Sequence, residues 1–278
     1  MTSEAELPPL TPAETRVVLR KLGDLTEDIV LVGGQALAFW AERYGSRFVL
    51  SGPVNSKDID FGGHRDAAAI AAAKLGGTCM TAEPFDPSPN SALVEFEDPG
   101  GHQRRIDFLR QVFGLDLKEV FDMAIGVDAP DQNETTFFRV MHPVHCLEAR
   151  ISNVAGLPGY QTRLALDQAH ASILCAREYL RDRLDEGAIR PVLNLSERIY
   201  RFAFYNKHAS AVLRDYGLDV FDAVLVDERL PEAFRTKRHP QMRSSLEKRR
   251  ARQEEVERAA AARRKSQGSS SNGQDQSG

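Results

Sequence analysis

Cysteine is scarce in this sequence, and long apolar runs are absent from it. The chain of 278 residues contains three cysteines, Cys79, Cys146 and Cys175, an odd number at wide spacing. Such cysteines predict reduced, mostly buried thiols rather than a disulfide framework. No apolar run approaches the roughly 20 residues that cross a bilayer, and the acidic start MTSEAE lacks the apolar core of a signal peptide. We therefore expect a cytoplasmic chain that has no membrane partner.

Several catalytic motifs are also missing, and each absence leaves one class of enzyme without support. The chain has no Gly-x-Ser-x-Gly, no His-Glu-x-x-His and no Walker A sequence, the marks of serine hydrolases, zincins and P-loop enzymes. A dinucleotide-binding turn would need a third glycine where Leu37 stands. His142, His145 and Cys146 are close in sequence, but Pro143 and the lack of a second ligand pair argue against zinc.

The net charge of −4 hides a strong asymmetry along the chain. Residues 235–265 contain 12 Lys or Arg and 4 Glu, a net charge of +8, so the rest of the chain carries −12. This basic segment has too few apolar positions to be buried as a helix. Two interpretations stay open: a solvated charged helix without a partner, which is the usual case, or an arm that captures a polyanion.

The most informative segment begins with a short apolar run, Ile29 to Val32, which predicts a buried strand. Gly33 and Gly34 follow directly, and apolar residues then recur at helical spacing. A strand, a glycine pair and a helix bring backbone N–H groups and the positive end of a helix together, and phosphate groups bind at such places. A tight turn without a ligand is the alternative, and the glycine pair alone does not decide between them.

Two acidic residues follow this helix, in the sequence Lys57-Asp58-Ile59-Asp60-Phe61. On a strand, the two aspartates point to one face while Ile59 and Phe61 point into the core. Neighbouring carboxylates repel each other unless a cation lies between them, and hard oxygen ligands favour Mg²⁺. The exposed face of an edge strand is the alternative, although such a face more often mixes Lys, Thr and Glu. Together with the phosphate cradle, the pair indicates nucleotide chemistry.

These motifs together resemble the signature of the DNA polymerase beta-type nucleotidyltransferase superfamily. In that superfamily a third carboxylate comes from a later strand, and here the sequence RRIDFL supplies Asp107 in that position. The sequences GGQAL, SKDIDF and RIDFL are similar to those of the small bacterial nucleotidyltransferases that include the abortive-infection toxins. The resemblance covers residues 25–170. The chain departs from it at residues 55–57, Asn-Ser-Lys, where many members have Arg followed by Thr or Ser.

The resemblance implies a cofactor and roles for particular residues. Asp58, Asp60 and Asp107 would be the catalytic carboxylates and would hold two Mg²⁺ ions, or Mn²⁺ in their place, about 3.5–4 Å apart. The backbone of Gly33 and Gly34 would cradle the β- and γ-phosphates of a nucleoside triphosphate. The other nucleotide-binding residues that it implies are Lys57, Arg150, Arg163 and Asp167.

Structural roles are open for some of these residues. Asp107 is also placed to form a salt bridge with Arg104 or Arg105, and a lone aspartate on a strand is more often structural than catalytic. For Arg150, the alternative to a nucleotide-binding role is a surface ion pair with Asp167. Its assignment to a phosphate, like that of Arg163, depends on the resemblance alone.

The implied function is transfer of a nucleoside monophosphate from an NTP to a hydroxyl acceptor, with release of pyrophosphate. RNA is one candidate acceptor, tRNA in particular because the resembled toxins include tRNA modifiers, and a protein is another. One alternative is a non-catalytic binding protein of a toxin–antitoxin-like pair, for which an antitoxin protein would be a partner. Another is a transferase that acts on small, antibiotic-type molecules.

The expected fold is α+β, with a catalytic domain at 1–141, a helical domain at 142–230 and a basic helix with a disordered tail at 231–278. The catalytic domain should contain a mixed sheet with its three aspartates on one face and helices on the other. Alternating patterns predict one hairpin from strands 91–97 and 102–109, and another from 124–127 and 135–140. Helices are expected at 144–154, 162–184 and 191–216, and disorder at 266–278.

Overall fold

A mixed β-sheet forms the first half of the protein, and helices form the second. This computed structural model describes residues 10–50, 52, 54, 56, 58–83, 85–98, 100–130 and 135–270. Within these ranges the fold is α+β, with seven strands and nine α-helices. No helix in the same ranges has the length and apolar character needed to cross a membrane.

The sheet has the strand order β3-β4-β5-β2-β1-β7-β6. Two of its pairings are parallel, β2 with β5 and β1 with β7, and the other four are antiparallel. Strands β2 and β5 are neighbours near the centre of the sheet, so each of them has another strand on both sides. The strands are β1 Ile29–Val32, β2 Ile59–Gly63, β3 Thr78–Thr81, β4 Asn90–Glu97, β5 Gln103–Leu109, β6 Ile125–Pro130 and β7 Thr135–Val140.

The helices alternate with strands at first and then follow one another without strands between them. Short 3₁₀ turns occur at Gly23–Leu25 and Val220–Ala223, and a π-helical turn at Phe234–Arg238 leads into the last helix. The helices are α1 Pro12–Lys21, α2 Gly33–Tyr44, α3 Arg65–Leu75, α4 Leu117–Met123, α5 Pro143–Gly156, α6 Arg163–Asp185, α7 Ile189–Tyr205, α8 Lys207–Tyr216 and α9 His239–Ser270.

Both predicted hairpins are confirmed, because local alternation is enough to specify a hairpin. In β4 and β5, Val94 and Ile106 are register partners and both are fully buried. The side chain of Asp98 closes the turn by accepting hydrogen bonds from the N–H groups of Gly100 and His102 at 2.8 and 2.9 Å. Strand β3 was not predicted. Its four residues are largely exposed at the edge of the sheet and carry no apolar alternation.

The prediction of one helix at 191–216 is wrong, because the chain breaks at Asn206. This residue has an extended backbone (φ −80°, ψ 126°) and begins a new helix. Its side-chain oxygen accepts hydrogen bonds from the N–H groups of His208 and Ala209 at 2.8 and 3.3 Å. Asparagine is a favoured N-cap residue, since its short side chain satisfies the N–H groups of a first turn. The result is two helices, α7 and α8.

Buried apolar side chains form two clusters, one around the sheet and one among the helices α5 to α9. The first cluster extends into the helical region through Cys146 and Cys175, which are both fully buried. Across the same junction, the indole N–H of Trp40 donates to the carbonyl of Met141 at 2.8 Å. The sheet and the first helices of the second half are therefore packed against each other.

A partly buried arginine also joins the two halves. The guanidinium of Arg198 on α7 donates to both carboxylate oxygens of Glu148 on α5, each at 2.7 Å. It also contacts Glu119 on α4, with one hydrogen bond of 3.3 Å. Two carboxylates shared by one bidentate guanidinium fix the relative positions of three helices. Helix α4 in turn packs on the sheet, where Leu117 lies close to Gly62 of β2.

The basic C-terminal segment is attached to the helical cluster, contrary to the expectation that it has too few apolar residues to be buried. Met242 and Leu246 on α9 are 1% and 2% exposed. Arg243 and Arg250 both pair with Asp219 at 2.9 Å. Helix α9 continues to Ser270, past the predicted start of disorder at residue 266. Residues 271–278 of that prediction lie outside the described residues.

The attachment of α9 leads to a stability prediction. Leu246→Ala should lower the free energy of unfolding by about 2–4 kcal/mol, because it removes a buried side chain and leaves a cavity. Val256→Ala, on the same helix at 67% exposure, is the matched control and should change it by less than about 0.5 kcal/mol. Urea unfolding followed by circular dichroism measures both. Equal effects from the two variants would show that α9 is not docked.

A carboxylate site at the centre of the sheet

Asp60 and Asp107 lie side by side at the centre of the sheet. They are register partners on the parallel strands β2 and β5. Register partners point to the same face, and neighbouring strands are about 4.8 Å apart. Asp58 precedes β2 by one residue and is exposed, and its charge acts on Asp60. The prediction of one carboxylate face is thus supported for Asp60 and Asp107 by their register.

Gly33 is where β1 turns into α2, and its lack of a side chain allows Asp60 to approach. A Cβ atom on Gly33 would lie 1.9 Å from Oδ2 of Asp60. The backbone of Gly33 has φ +65°, a conformation that residues with a Cβ rarely adopt. The next N–H group, that of Gly34, donates a hydrogen bond to the Asp60 carboxylate. The first turn of α2 therefore holds Asp60 directly.

This geometry modifies the predicted role of the glycine pair. The sequence suggested a free turn that cradles phosphate, whereas here the turn lies against two side chains of the protein. Gly33 faces Asp60, and a Cβ atom on Gly34 would lie 2.5 Å from Cβ of Ser56. Ser56 is held in place by Gln35, whose amide donates to the Ser56 carbonyl at 2.7 Å. A phosphate would reach these N–H groups only beside Asp60 and Ser56.

The electrostatics of the site make Asp60 an unusual carboxylate. The pKa of Asp60 is raised to about 7, mainly by burial and in part by the charges of Asp107 and Asp58. The nearby Arg150 and the hydrogen bond from Gly34 oppose this effect but do not cancel it. A carboxyl group with a raised pKa beside other carboxylates is a frequent property of functional sites, because a bound cation would restore its ionised form.

Asp107 is held by two neighbours. Its Oδ1 atom accepts a hydrogen bond of 2.8 Å from Nε of Arg105 and one of 3.1 Å from the side-chain amide of Asn90. The salt bridge considered from the sequence is therefore formed, with Arg105 rather than Arg104, which pairs with Asp98 instead. Asn90 was missed. The predicted hairpin could have placed it near Asp107, but the register shift after Asn90 could not be read from alternation.

Arg150 on α5 is a predicted nucleotide-binding residue whose charge acts on this site. It lowers the pKa of Asp60, which shows that the two charges are close. One end of its guanidinium donates to Gln168 on α6 at 3.1 Å, and Gln168 in turn donates to the carbonyl of Val54 at 3.1 Å. Its Nε atom is buried and has no hydrogen-bond partner among the described residues. A partly buried guanidinium with an unused donor is suited to an anion.

Asp167 and Arg163 form a pair on α6 beside the loop that precedes β2. Nε of Arg163 contacts Oδ2 of Asp167 at 3.1 Å, and Asp167 is buried while the Arg163 side chain is 78% exposed. Asp167 lies so close to Gly52 that a Cβ atom there would be 2.4 Å from its Oδ2 atom. This pair therefore positions the loop, and no described contact joins it to the three aspartates. Lys57 lies outside the described residues.

The histidines near the start of α5 have structural surroundings. Nδ1 of His142 accepts a hydrogen bond from the N–H of Val144 at 3.1 Å, which caps α5. His145 is fully buried, and burial lowers its pKa to about 4. Among the residues that the structure describes, no three His, Cys, Asp or Glu side chains are already arranged as a formed metal site. The carboxylates would have to converge on a bound ion.

The donors at this site fit Mg²⁺ in kind. Carboxylate oxygens on adjacent strands are hard ligands, and a bound cation would favour the ionised form of Asp60, whose pKa is raised mainly by burial. Arg150 and the first turn of α2 both stabilise the ionised Asp60 carboxylate, and both favour a further anion nearby. The arrangement can therefore bind a cation and a phosphate group together. No model of a known protein family matches this chain, and no curated protein matches it significantly.

The close contact at Gly33 leads to a stability prediction. Gly76 has nearly the same backbone conformation, φ +70°, but a Cβ atom there would meet nothing within 4 Å. Gly76→Ala should lower the free energy of unfolding by about 1–2 kcal/mol, because alanine disfavours the positive φ. Gly33→Ala should cost about 1–3 kcal/mol more, because the Asp60 carboxylate must move. Chemical unfolding of both variants measures the difference, and equal losses would contradict the packing of Asp60 on Gly33.

The raised pKa of Asp60 leads to a pH prediction. Its folded value of about 7 exceeds the unfolded value of about 3.9. The contribution of Asp60 to stability is therefore complete below pH 4 and is lost as the pH rises through 7. Without metal, the free energy of unfolding of the wild type should fall by about 2–3 kcal/mol relative to that of Asp60→Asn between pH 5 and pH 8. Urea unfolding in EDTA measures this difference. Parallel pH profiles for the two proteins would contradict it.

Proposed function

We propose that this protein is a Mg²⁺-dependent nucleotidyltransferase that transfers a nucleoside monophosphate from an NTP to a hydroxyl acceptor. The observation that carries the proposal is the placement of Asp60. It lies beside Asp107 in the sheet, against the first turn of α2, and within the electrostatic reach of Arg150. One carboxylate is thus next to a second carboxylate, a helix N-terminus and an arginine. Nucleotidyl transfer requires a place for metal and a place for phosphate side by side.

Each of these residues has a role in the proposed reaction. Asp58 and Asp60 would hold the metal that accompanies the triphosphate, and Asp107 would complete the site at which the acceptor hydroxyl loses its proton. Arg150 and the N–H groups at the start of α2 stabilise negative charge on the triphosphate. An oxygen–phosphorus bond forms at the α-phosphate while the bond to the β-phosphate breaks, and pyrophosphate leaves. Two Mg²⁺ ions, when bound, supply charge neutralisation at both the attacking and the leaving oxygens.

The acceptor in this proposal is a hydroxyl group of RNA, tRNA in particular, or of a protein. An antitoxin protein would be the partner if the enzyme acts as a toxin. These assignments are supported by the resemblance of residues 33–37, 56–61 and 105–109 to the abortive-infection toxins and by the basic C-terminal segment. The location proposed is the cytoplasm, because the three cysteines are free.

The deciding experiment identifies both the donor and the acceptor. The protein is incubated with Mg²⁺, total RNA and each of the four NTPs in turn, labelled at the α-phosphate. Label in RNA or in protein demonstrates transfer and shows which NTP is used. Binding of a labelled NTP that requires Mg²⁺ but leads to no transfer would favour the non-catalytic alternative.

The three carboxylates should differ in what their removal does. Asp58→Asn and Asp60→Asn should abolish transfer, since the triphosphate metal loses its ligands, while the fold is retained. Asp107→Asn should also abolish transfer but keep part of the Mg²⁺-dependent NTP binding. Transfer assays and NTP titrations measure the two effects, with Asp66→Asn on α3, whose side chain is 92% exposed, as a control. Wild-type activity in all three variants would show that the mechanism is wrong.

A further inference from the structure

A basic groove lies between α9 and the junction of α7 with α8. Its volume is about 880 Å³, and it is open to solvent along one side. We use the term basic groove for the surface formed by Tyr205, Lys207, Lys248, Arg249, Arg252 and Val256. On α9, residue 252 is three or four positions from residues 248, 249 and 256, so these four lie on one side of that helix. This face belongs to neither the carboxylate site nor the buried attachment of α9.

Lys207, Lys248 and Arg252 in this groove differ from Arg243 and Arg250 of α9 in having no acidic partner among the described residues. Arg243 and Arg250 are neutralised by Asp219, as described above. In the described part of the chain, no carboxylate lies within ion-pair distance of Lys207, Lys248 or Arg252. Glu257 also borders the groove, but it already pairs with Arg214 at 3.2 Å. The groove therefore keeps its positive charge.

Exposed apolar surface is interleaved with these charges. The side chain of Tyr205 is 68% exposed at the end of α7. Its ring packs edge-on against Phe204, with the ring centroids 4.8 Å apart, and this contact helps to hold the Tyr205 ring in place. The guanidinium of Arg249 lies over the same Phe204 ring at 4.9 Å. Val256, at 67% exposure, extends the apolar surface along α9.

Like charges on one helix face are costly without an anion. Lys248 and Arg252 are separated by four residues, a spacing at which equal charges destabilise a helix. A solvated helix face usually intersperses acidic residues, whereas this one adds Lys207 from α8 to the same groove. A chain of phosphates would neutralise all three cations, and a base would stack on the exposed Tyr205 ring. Cations that follow a backbone beside an aromatic platform are the features that bind single strands.

We propose that the basic groove binds single-stranded nucleic acid, with Lys207, Lys248 and Arg252 on phosphates and Tyr205 stacked on a base. A duplex does not fit this chemistry as well, because its bases are already stacked on one another and cannot reach the tyrosine ring. This binding does not require nucleotidyl transfer. It would, however, hold a nucleic-acid acceptor on the protein if the proposed transfer takes place.

The test measures binding of a fluorescein-labelled 12-nucleotide oligo-U to the full-length protein by anisotropy, without NTP or Mg²⁺. Tyr205→Ala should weaken binding by about 5- to 150-fold, the equivalent of one stacked base, whereas Tyr205→Phe should keep it. The double variant Lys248→Gln/Arg252→Gln should reduce the slope of log affinity against log salt by about 1.4, or two phosphate contacts. Thermal unfolding of each variant checks that the fold is intact.

The matched control is Arg258→Gln/Arg190→Gln. It removes the same charge from two exposed positions, Arg258 on α9 and Arg190 on α7, that do not line the groove. Its affinity should stay within about twofold of the wild type, apart from a small uniform electrostatic effect. Equal losses in the control and groove variants would overturn the proposal, as would unchanged binding in Tyr205→Ala or no binding at all. Because NTP is absent, these outcomes are independent of whether the protein transfers nucleotides.

Discussion

The approach of the Asp60 carboxylate to the backbone at Gly33 is the contact on which the centre of the protein depends. It requires a residue without a side chain at the end of β1, a positive φ there, and a helix that begins at once. It also removes a carboxylate from water, and the helix N–H of Gly34 offsets only part of that cost. A fold selected for stability alone would place an apolar side chain here. An acidic one is therefore better explained by a ligand that the folded protein binds.

Local patterns predicted much of the fold because their information is contained within a few residues. The alternation in β4 and β5 and the apolar run of β1 each specify structure without a distant partner. Asp58 and Asp60 were expected on one face by the same reasoning, whereas Asp107 was assigned to that face through the resemblance. Asn206 was overlooked because an asparagine within a long apolar period reads as an exposed helical residue until its capping hydrogen bonds are seen.

Contacts between distant segments were not predictable in this way. Gln168 reaches Val54 across 114 positions, and Arg198 reaches Glu119 across 79, so no spacing rule connects them. The resemblance named Arg150 but not the residues that hold it. Charge counting likewise described α9 as one uniform basic segment. The three-dimensional arrangement divides that segment into arginines that attach it to Asp219 and cations that face the basic groove.

The order of strands in the sheet has a consequence for how the protein is made. Strand β1 has β7 as one of its two neighbours, with Leu31 opposite Val140, and Trp40 is tied to Met141. The N-terminal part thus cannot complete its sheet until about 140 residues have been synthesised, which takes about 7–28 s at typical rates of translation. Asp60 is made early but acquires its full surroundings late, with Arg150. A nascent chain would therefore carry its carboxylates in water, unable to act, until the helical half begins to emerge.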